Sequence, residues 1–155
     1  DKGASAMGVK GQSWFLNDIP LGYTHACGTR TISAEDIAVF KERFAPHLPL
    51  ASGEASQDGA GHDAFAAQAH VYAVWSALLW EETKDWPVLA RLGQDALRWY
   101  RTAEAGDVLQ LKVTFVGKQP VSEERGILIA SHEIVNQKGE LVMALMTRTV
   151  MARSP

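Results

Sequence analysis

Histidine is the side chain in this sequence best suited to proton transfer near neutral pH, and the chain contains five histidines. His47 lies in a Pro-containing stretch, and His70 lies in a long apolar segment. Asp58 and His62 are four positions apart, just before that segment. An imidazole or carboxylate that faces a substrate can take a proton from water or deliver one, which is general acid–base chemistry.

Each of these residues also has a purely structural interpretation. His47 is typical of a solvated loop residue, and Asp58 and His62 are typical of loop and helix N-cap groups. His70 and its neighbour Tyr72 are polar groups on a segment predicted to be buried, where each needs a hydrogen-bond partner. For these two residues, a hydrogen bond in the core is at least as good an explanation as catalysis.

Other kinds of chemistry find less support in the sequence. No His, Cys, Asp or Glu cluster has metal-ligand spacing, and no glycine-rich phosphate loop occurs, so we expect no metal and no other cofactor. The single cysteine, Cys27, cannot form an internal disulfide and lies in an alternating stretch, which favours a small strand residue over a nucleophile. One cysteine and the absence of a secretory hydrophobic segment at the start favour the cytoplasm.

The composition is typical of one globular domain. Of 155 residues, 46% are hydrophobic, and we expect a single domain over residues 13–155. Residues 1–12, rich in Gly, Ser and Lys, are predicted to be a disordered terminus or a remnant of an expression tag. The net charge of −3 argues against nucleic-acid binding. The longest apolar stretch is shorter than the roughly 20 residues that a membrane-spanning helix needs, so no membrane association is expected.

A long helix is predicted near the middle of the chain, over residues 62–85. This stretch is rich in Ala and Leu, contains no Gly or Pro, and is apolar at nearly every position from Ala69 to Trp80. A helix that is apolar on all sides is expected to be buried. The small residues Ala69, Ala73 and Ala77 recur at every fourth position, which suits close packing against another backbone.

Strands are predicted on both sides of this helix, because apolar and polar residues alternate there. Their predicted ranges are Tyr23–Ile32, Gln94–Arg101, Val108–Val116, Gly126–Val135 and Leu141–Met151. A short helix is predicted after the first strand, with Ser33 as its N-cap. Short loops between successive strands indicate antiparallel pairing. The predicted class is therefore α+β, with a sheet folded over one helix.

Four stretches resemble the MaoC-like dehydratases, which include the (R)-specific enoyl-CoA hydratases. They are residues 32–40 (ISAEDIAVF), 44–50 (FAPHLPL), 95–109 (DALRWYR followed by GDVL) and 135–142 (VNQKGELV). The resemblance implies a hot-dog fold, in which a curved antiparallel sheet wraps around a long central helix. It also implies acyl-CoA or another acyl thioester as the ligand, and a homodimer.

The resemblance also implies where the catalytic groups should lie. In these hydratases an Asp and a His, five positions apart, act on the water that adds to an enoyl thioester. The matching positions here are Ala45 and Leu50, and neither side chain can transfer a proton. His47 and His70 are then the candidates for a catalytic role. The thioester carbonyl is expected at the amino end of the central helix, where the predicted substrate-binding residues are Ala69, His70, Val71 and Tyr72.

Three functions remain open on this basis. The first is an acyl-CoA hydratase or dehydratase with an unusual set of acid and base residues. The second is a catalytically degenerate hot-dog subunit that binds acyl-CoA or a sister chain. The third is an acyl-CoA thioesterase. The lack of any Asp or Glu between Ala64 and Trp80 counts against the third, because hot-dog thioesterases often use an acid on or near this helix.

Overall fold

The computed structural model describes residues 14–48 and 65–155. The expectations for the terminus 1–12, for Leu50 and for the pair Asp58 and His62 lie outside the described residues.

The described residues form one five-stranded sheet and two α-helices, after a short 3-10 turn at Leu16–Asp18. In chain order the elements are β1 (Thr24–Thr31), α1 (Ala34–Phe44), α2 (Gln68–Thr83), β2 (Val88–Trp99), β3 (Val108–Pro120), β4 (Arg125–Val135) and β5 (Leu141–Ala152). The strand order is β1-β3-β4-β5-β2, and every neighbouring pair is antiparallel. The predicted α+β class with an antiparallel sheet is confirmed.

Helix α1 begins at a capping box that the sequence contains in full. The Asp36 N–H donates to Ser33 Oγ at 3.0 Å, and the Ser33 N–H donates to Asp36 Oδ2 at 3.3 Å. Glu35 and Asp36 place negative charge at the positive end of the helix dipole. The helix ends at Phe44, two residues before Pro46, whose ring disfavours a helical conformation at the preceding residue.

Helix α2 is buried on one side only. Its buried side chains are Val71, Val74, Trp75, Leu78 and Glu82. The prediction of burial on all sides is wrong, because Trp80 is 60% exposed and Ala69 and Ala73 are exposed as well. The sheet is a single layer and covers one face of the helix. Apolar composition reports how hydrophobic a helix is, but it does not report how much of the helix the sheet covers.

The inner face of the sheet follows the predicted alternation most clearly in β3. Leu109, Leu111, Val113 and Phe115 are each at most 4% exposed, as the period of two requires. Removing each such side chain from water is worth about 1.5–3 kcal/mol. This face forms the hydrophobic core together with the buried side of α2.

Strand β2 differs most from its prediction. It begins at Val88, well before the predicted start at Gln94, and it ends at Trp99. Its pairing with β5 shifts register three times, and Gly93 and Ala96 both have positive φ angles, of 139° and 55°. Each irregularity interrupts the alternation of side chains, so the first half of this edge strand carries no strand-like pattern in the sequence.

Candidate functional site

A groove of about 540 Å³ lies between α1, the end of β1 and the first two turns of α2. Phe40 and Phe44 of α1 contribute aromatic rings to its wall, and His70 of α2 contributes an imidazole. Ala73 leaves room beside the imidazole, because its side chain is a single methyl group. The groove therefore combines apolar walls with a group that can transfer protons, at the amino-terminal part of the central helix.

The ring of His70 is held by aromatic stacking. It lies parallel to the ring of Phe40, with centroids 4.6 Å apart and an angle of 3° between the planes. Its Nδ1 atom is buried and has no hydrogen-bond partner among the described residues. Burial lowers the pKa of His70, while the nearby Asp36 carboxylate acts in the opposite direction. The unprotonated imidazole, which can accept a proton, is thus the favoured form near neutral pH.

The carboxylate of Asp36 lies in the wall of the same groove. Hydrogen bonds from the side chain and the backbone of Ser33 lower the pKa of Asp36, and the charges of His70 and Arg30 lower it further. Asp36 therefore remains a carboxylate through the neutral pH range. Its position is fixed, since the capping box at the start of α1 holds one of its oxygens.

Three more charged groups line the groove. Glu35 belongs to the first turn of α1, and Arg43 to its last turn. Arg30 comes from β1, and its Nη2 lies 3.2 Å from Oε1 of Glu81. Together with Asp36, the groove carries two cations and two carboxylates beside its apolar walls, so polar groups of either sign can orient a ligand there.

A second, more enclosed cavity of about 40 Å³ lies between the last turns of α2 and the inner face of the sheet. It has room for a few water molecules. His132 of β4 lines it and is almost completely buried. The Trp75 Nε1–H donates to Nδ1 of His132 at 3.1 Å, so the neutral ring carries its proton on Nε2 and donates it to Thr147 Oγ1 at 2.8 Å.

His132 is therefore a structural residue of the core. Burial, together with the positive charge of Arg91, lowers its pKa to about 3. His25 lies on β1 and lines the same cavity, and burial lowers its pKa as well. Neither histidine lines the groove that contains His70.

Cys27 and Glu82 are neighbours at this second cavity. Burial, and secondarily the Glu82 charge, raises the pKa of the Cys27 thiol to about 12, so the reactive thiolate is not formed near neutral pH. Glu82 Oε1 accepts a hydrogen bond from the Gly28 N–H at 3.1 Å. Gly28 lies where the register between β1 and β3 shifts, so the carboxylate satisfies an amide that is outside the regular ladder.

Within residues 14–48 and 65–155, no group of three or more His, Cys, Asp or Glu side chains could hold a metal ion. No helix in the same ranges combines the length and the apolar character needed to span a membrane.

Comparison with known proteins gives a match at the level of structure. No protein-family model and no curated protein matches the sequence. A MaoC-like dehydratase from Rhodospirillum rubrum superimposes with a TM-score of 0.76 and 25% identity, over 92% of this chain and 99% of the other. The R-hydratase PhaJ1 from Pseudomonas aeruginosa superimposes with a TM-score of 0.68 and 22% sequence identity, over 91% of this chain and 86% of PhaJ1. A Mycobacterium tuberculosis protein with a double hotdog fold superimposes with a TM-score of 0.73 and 20% sequence identity, over 92% of this chain and 45% of the other.

This chain has a hot-dog fold. The curved antiparallel sheet with α2 against its inner face is the arrangement that the four sequence stretches implied. The structural neighbours confirm the resemblance to MaoC-like dehydratases, and an (R)-hydratase shares the fold. The M. tuberculosis neighbour contains two such units, so this chain spans about half of its length.

The predicted site residues of the hot-dog domain lie in different places. His70 lines the groove, whereas His47 is exposed in the turn after α1 and is not part of the groove wall. Ala45, at the position of the expected Asp, is buried at the end of α1, and its N–H donates to the Lys41 carbonyl. Leu50 lies outside the described residues.

The predicted substrate-binding residues around His70 point in several directions. Ala69 is exposed at the start of α2, and Val71 is buried in the core. The Tyr72 hydroxyl donates to Gln94 Oε1 at 2.8 Å and thereby links α2 to β2. Of these residues, only His70 lines the groove.

Asp36 and Phe40 are two of the groove residues that the sequence did not single out as site residues. A signal for both is present, since they are four positions apart in a helix and must share one face of it. The sequence alone does not show that this face meets the first turn of α2.

Proposed function

We propose that this hot-dog chain binds an acyl thioester, such as an acyl-CoA, in the groove between α1 and α2. We further propose that it adds water to an enoyl thioester, or removes water from a 3-hydroxyacyl thioester, with His70 as the acid–base group. The observation that carries the proposal is the imidazole of His70, stacked on Phe40 in a groove with apolar and charged walls at the amino-terminal part of α2. The fold shared with MaoC-like dehydratases and (R)-hydratases supports it.

The chemistry requires only proton transfer and one new C–O bond. Unprotonated His70 takes a proton from water as the water oxygen bonds to the β-carbon, and the double-bond electrons move onto the thioester. His70 then returns the proton to the α-carbon, so one molecule of water is consumed and the imidazole is restored. No cofactor is needed for these steps.

The amino end of α2 suits the charge that develops on the thioester oxygen. The helix dipole is positive there, and amide groups of the first turn point out of the helix end. The N-cap residue is Ala67, whose side chain makes no capping hydrogen bond and so does not compete with a ligand. Ala69 is exposed at this helix end, although it does not line the groove, and its small side chain leaves room for a carbonyl group.

A binding subunit without chemistry is the second candidate. Ala45 is buried and apolar where the MaoC-like enzymes carry an Asp, so the standard catalytic pair is missing at that position. In this case the groove binds the acyl thioester, and a sister chain supplies the acid and the base.

A homodimer is part of the proposal. Strand β2 is an edge of the sheet, and Leu89 and Leu92 on it are 54% and 55% exposed. In the proposed dimer, β2 of a second copy pairs with this edge in antiparallel orientation. Such pairing would cover an apolar edge strand that is otherwise prone to aggregation. We place this dimer in the cytoplasm, in keeping with a single cysteine that forms no disulfide.

The test measures hydration of crotonyl-CoA through the loss of enoyl-thioester absorbance. The wild-type chain is expected to turn over, and His70→Gln is expected to lower turnover by about 10²–10⁴-fold, the usual contribution of one acid–base group. Circular dichroism checks that the variant is folded. A loss in His47→Gln with none in His70→Gln would contradict the role given to His70.

Binding and thiol release separate the candidates. If wild type does not hydrate crotonyl-CoA but binds it in calorimetry, the binding-subunit candidate replaces the hydratase. Release of free CoA thiol, detected with a thiol reagent, would instead indicate a thioesterase. Sedimentation of wild type and of Leu92→Lys tests the dimer, which the new charge is expected to dissociate.

A further inference from the structure

Helix α1 presents a carboxylate and an aromatic ring on one face, one turn apart. Asp36 and Phe40 are at positions i and i+4, where side chains on a helix are neighbours. Phe40 stacks on the His70 ring, and Asp36 lines the same groove. The carboxylate is thus one helical turn from the ring that lies flat against the imidazole.

The carboxylate is held in place before any ligand arrives. Asp36 Oδ2 accepts from the Ser33 N–H at 3.3 Å, and the Asp36 N–H donates to Ser33 Oγ at 3.0 Å. These two hydrogen bonds hold both the backbone N–H and the carboxylate of Asp36. A carboxylate has two oxygens and can accept several hydrogen bonds, so the cap does not exhaust its capacity.

We propose that Asp36 is a positioning residue for His70: its carboxylate favours the protonated imidazole that forms during turnover, while Phe40 fixes the plane of the ring. This inference rests on the proton-transfer role proposed for His70. Asp36 would then supply, from across the groove, a carboxylate that acts on the imidazole, in a chain that has Ala45 at the position of the usual Asp.

The electrostatic directions agree with this assignment. The Asp36 charge raises the pKa of His70 against the effect of burial, and the His70 charge lowers the pKa of Asp36. A partly buried imidazole without such a partner would release a proton easily but would take one up poorly. The Asp36 carboxylate makes proton uptake by His70 easier, because it stabilises the imidazolium form.

Other charged groups also face this groove. Arg30 belongs to β1, and its charge lowers the pKa of Asp36. Arg43 belongs to the last turn of α1, and Glu35 to its first turn. The first turn of α2 contains no acidic residue. Asp36 is the group whose charge acts on His70, which makes Glu35 a matched control for a carboxylate in the same groove and the same helical turn.

The experiment is an NMR titration of the His70 Cε1–H signal in the full chain, assigned by its loss in His70→Gln. Asp36→Asn removes the charge but keeps a side-chain oxygen for the Ser33 N–H, so the helix cap is retained. In this variant we expect the pKa of His70 to fall relative to wild type. Glu35→Gln should leave it close to wild type, and Asp36→Glu should restore most of the effect.

The same variants give a kinetic readout. In Asp36→Asn the acid limb of the pH profile of kcat/KM should move to lower pH along with the His70 titration. An unchanged His70 pKa in Asp36→Asn, or an equal change in Glu35→Gln, would overturn the inference. If wild type shows no turnover, the proposed function fails, whereas the NMR titration still decides whether Asp36 acts on His70.

Discussion

The imidazole of His70 lies flat against the phenyl ring of Phe40, with ring centroids 4.6 Å apart and planes within 3° of each other. This contact joins α1 to the first turn of α2 and fixes the orientation of the group proposed to transfer protons. Aromatic pairs of this kind contribute about 0.5–1.5 kcal/mol beyond the area that they bury.

Replacing Phe40 by Leu should therefore affect chemistry more than stability. The leucine still covers the groove wall, but the His70 ring gains rotational freedom and turnover of crotonyl-CoA should fall. Phe44→Leu is the matched control, because Phe44 is exposed and contacts Phe40 with centroids 5.2 Å apart. Equal effects of the two substitutions on turnover would show that the stacking of Phe40 on His70 has no special role.

Adjacent glutamates at the end of α2 should differ sharply in their effect on stability. Glu82 is buried and accepts the Gly28 N–H, whereas Glu81 is an exposed partner of Arg30. Glu82→Ala leaves a part-buried amide without a partner and should lower the free energy of unfolding by about 1–3 kcal/mol. Glu81→Ala should cost under about 1 kcal/mol. Urea unfolding measures both, and equal costs would contradict the role assigned to Glu82.

Two glycines of neighbouring strands offer a similar comparison. A Cβ at Gly126 would lie 2.5 Å from Leu16 Cδ2 and 2.9 Å from the Gln119 carbonyl oxygen. A Cβ at Gly117 would come no closer than 3.8 Å to its neighbours. Gly126→Ala should therefore destabilise by about 1–3 kcal/mol through overpacking, and Gly117→Ala should be tolerated. Thermal unfolding of the two variants checks the difference, and a Gly126→Ala protein as stable as wild type would show that both Leu16 and the Gln119 backbone can move away at little cost.

The sequence was sufficient where the signal is local. The capping box of Ser33 and Asp36 lies within four residues, and the alternation of β3 requires only a period of two. The N-cap at Ser33 and the alternation of β3 were predicted, and both are confirmed, whereas the return hydrogen bond to Asp36 that completes the capping box was not predicted. The fold itself was predicted through resemblance, because the order of elements and four short stretches matched one superfamily.

The sequence was insufficient where the outcome depends on packing between distant segments. The register shifts of β2 around Gly93 and Ala96 remove the alternation on which the prediction of a strand depends. Asp36 and His70 line one groove because Phe40 of α1 stacks on the His70 ring of α2, and this long-range contact leaves no local pattern in the sequence. Likewise, the exposure of Trp80 depends on how far the sheet extends over α2.

Acid should destabilise the chain through His132. Burial and the charge of Arg91 lower its pKa from 6.5 to about 3 in the folded state, whereas the unfolded chain has the ordinary value. Between these two pH values the unfolded state binds more protons, so the free energy of unfolding falls as the pH drops. From pH 7 to pH 4 the loss from this one group amounts to about 3 kcal/mol.

The measurement is urea unfolding of wild type and His132→Gln at pH 7, 5.5 and 4. The variant loses part of the hydrogen bonding with Trp75 and Thr147, so it should be less stable at pH 7. Its stability should nevertheless fall less steeply toward pH 4, because glutamine does not titrate. If the free energy of unfolding falls equally with pH in the two proteins, other groups cause the acid sensitivity, and the core accommodates a charged His132.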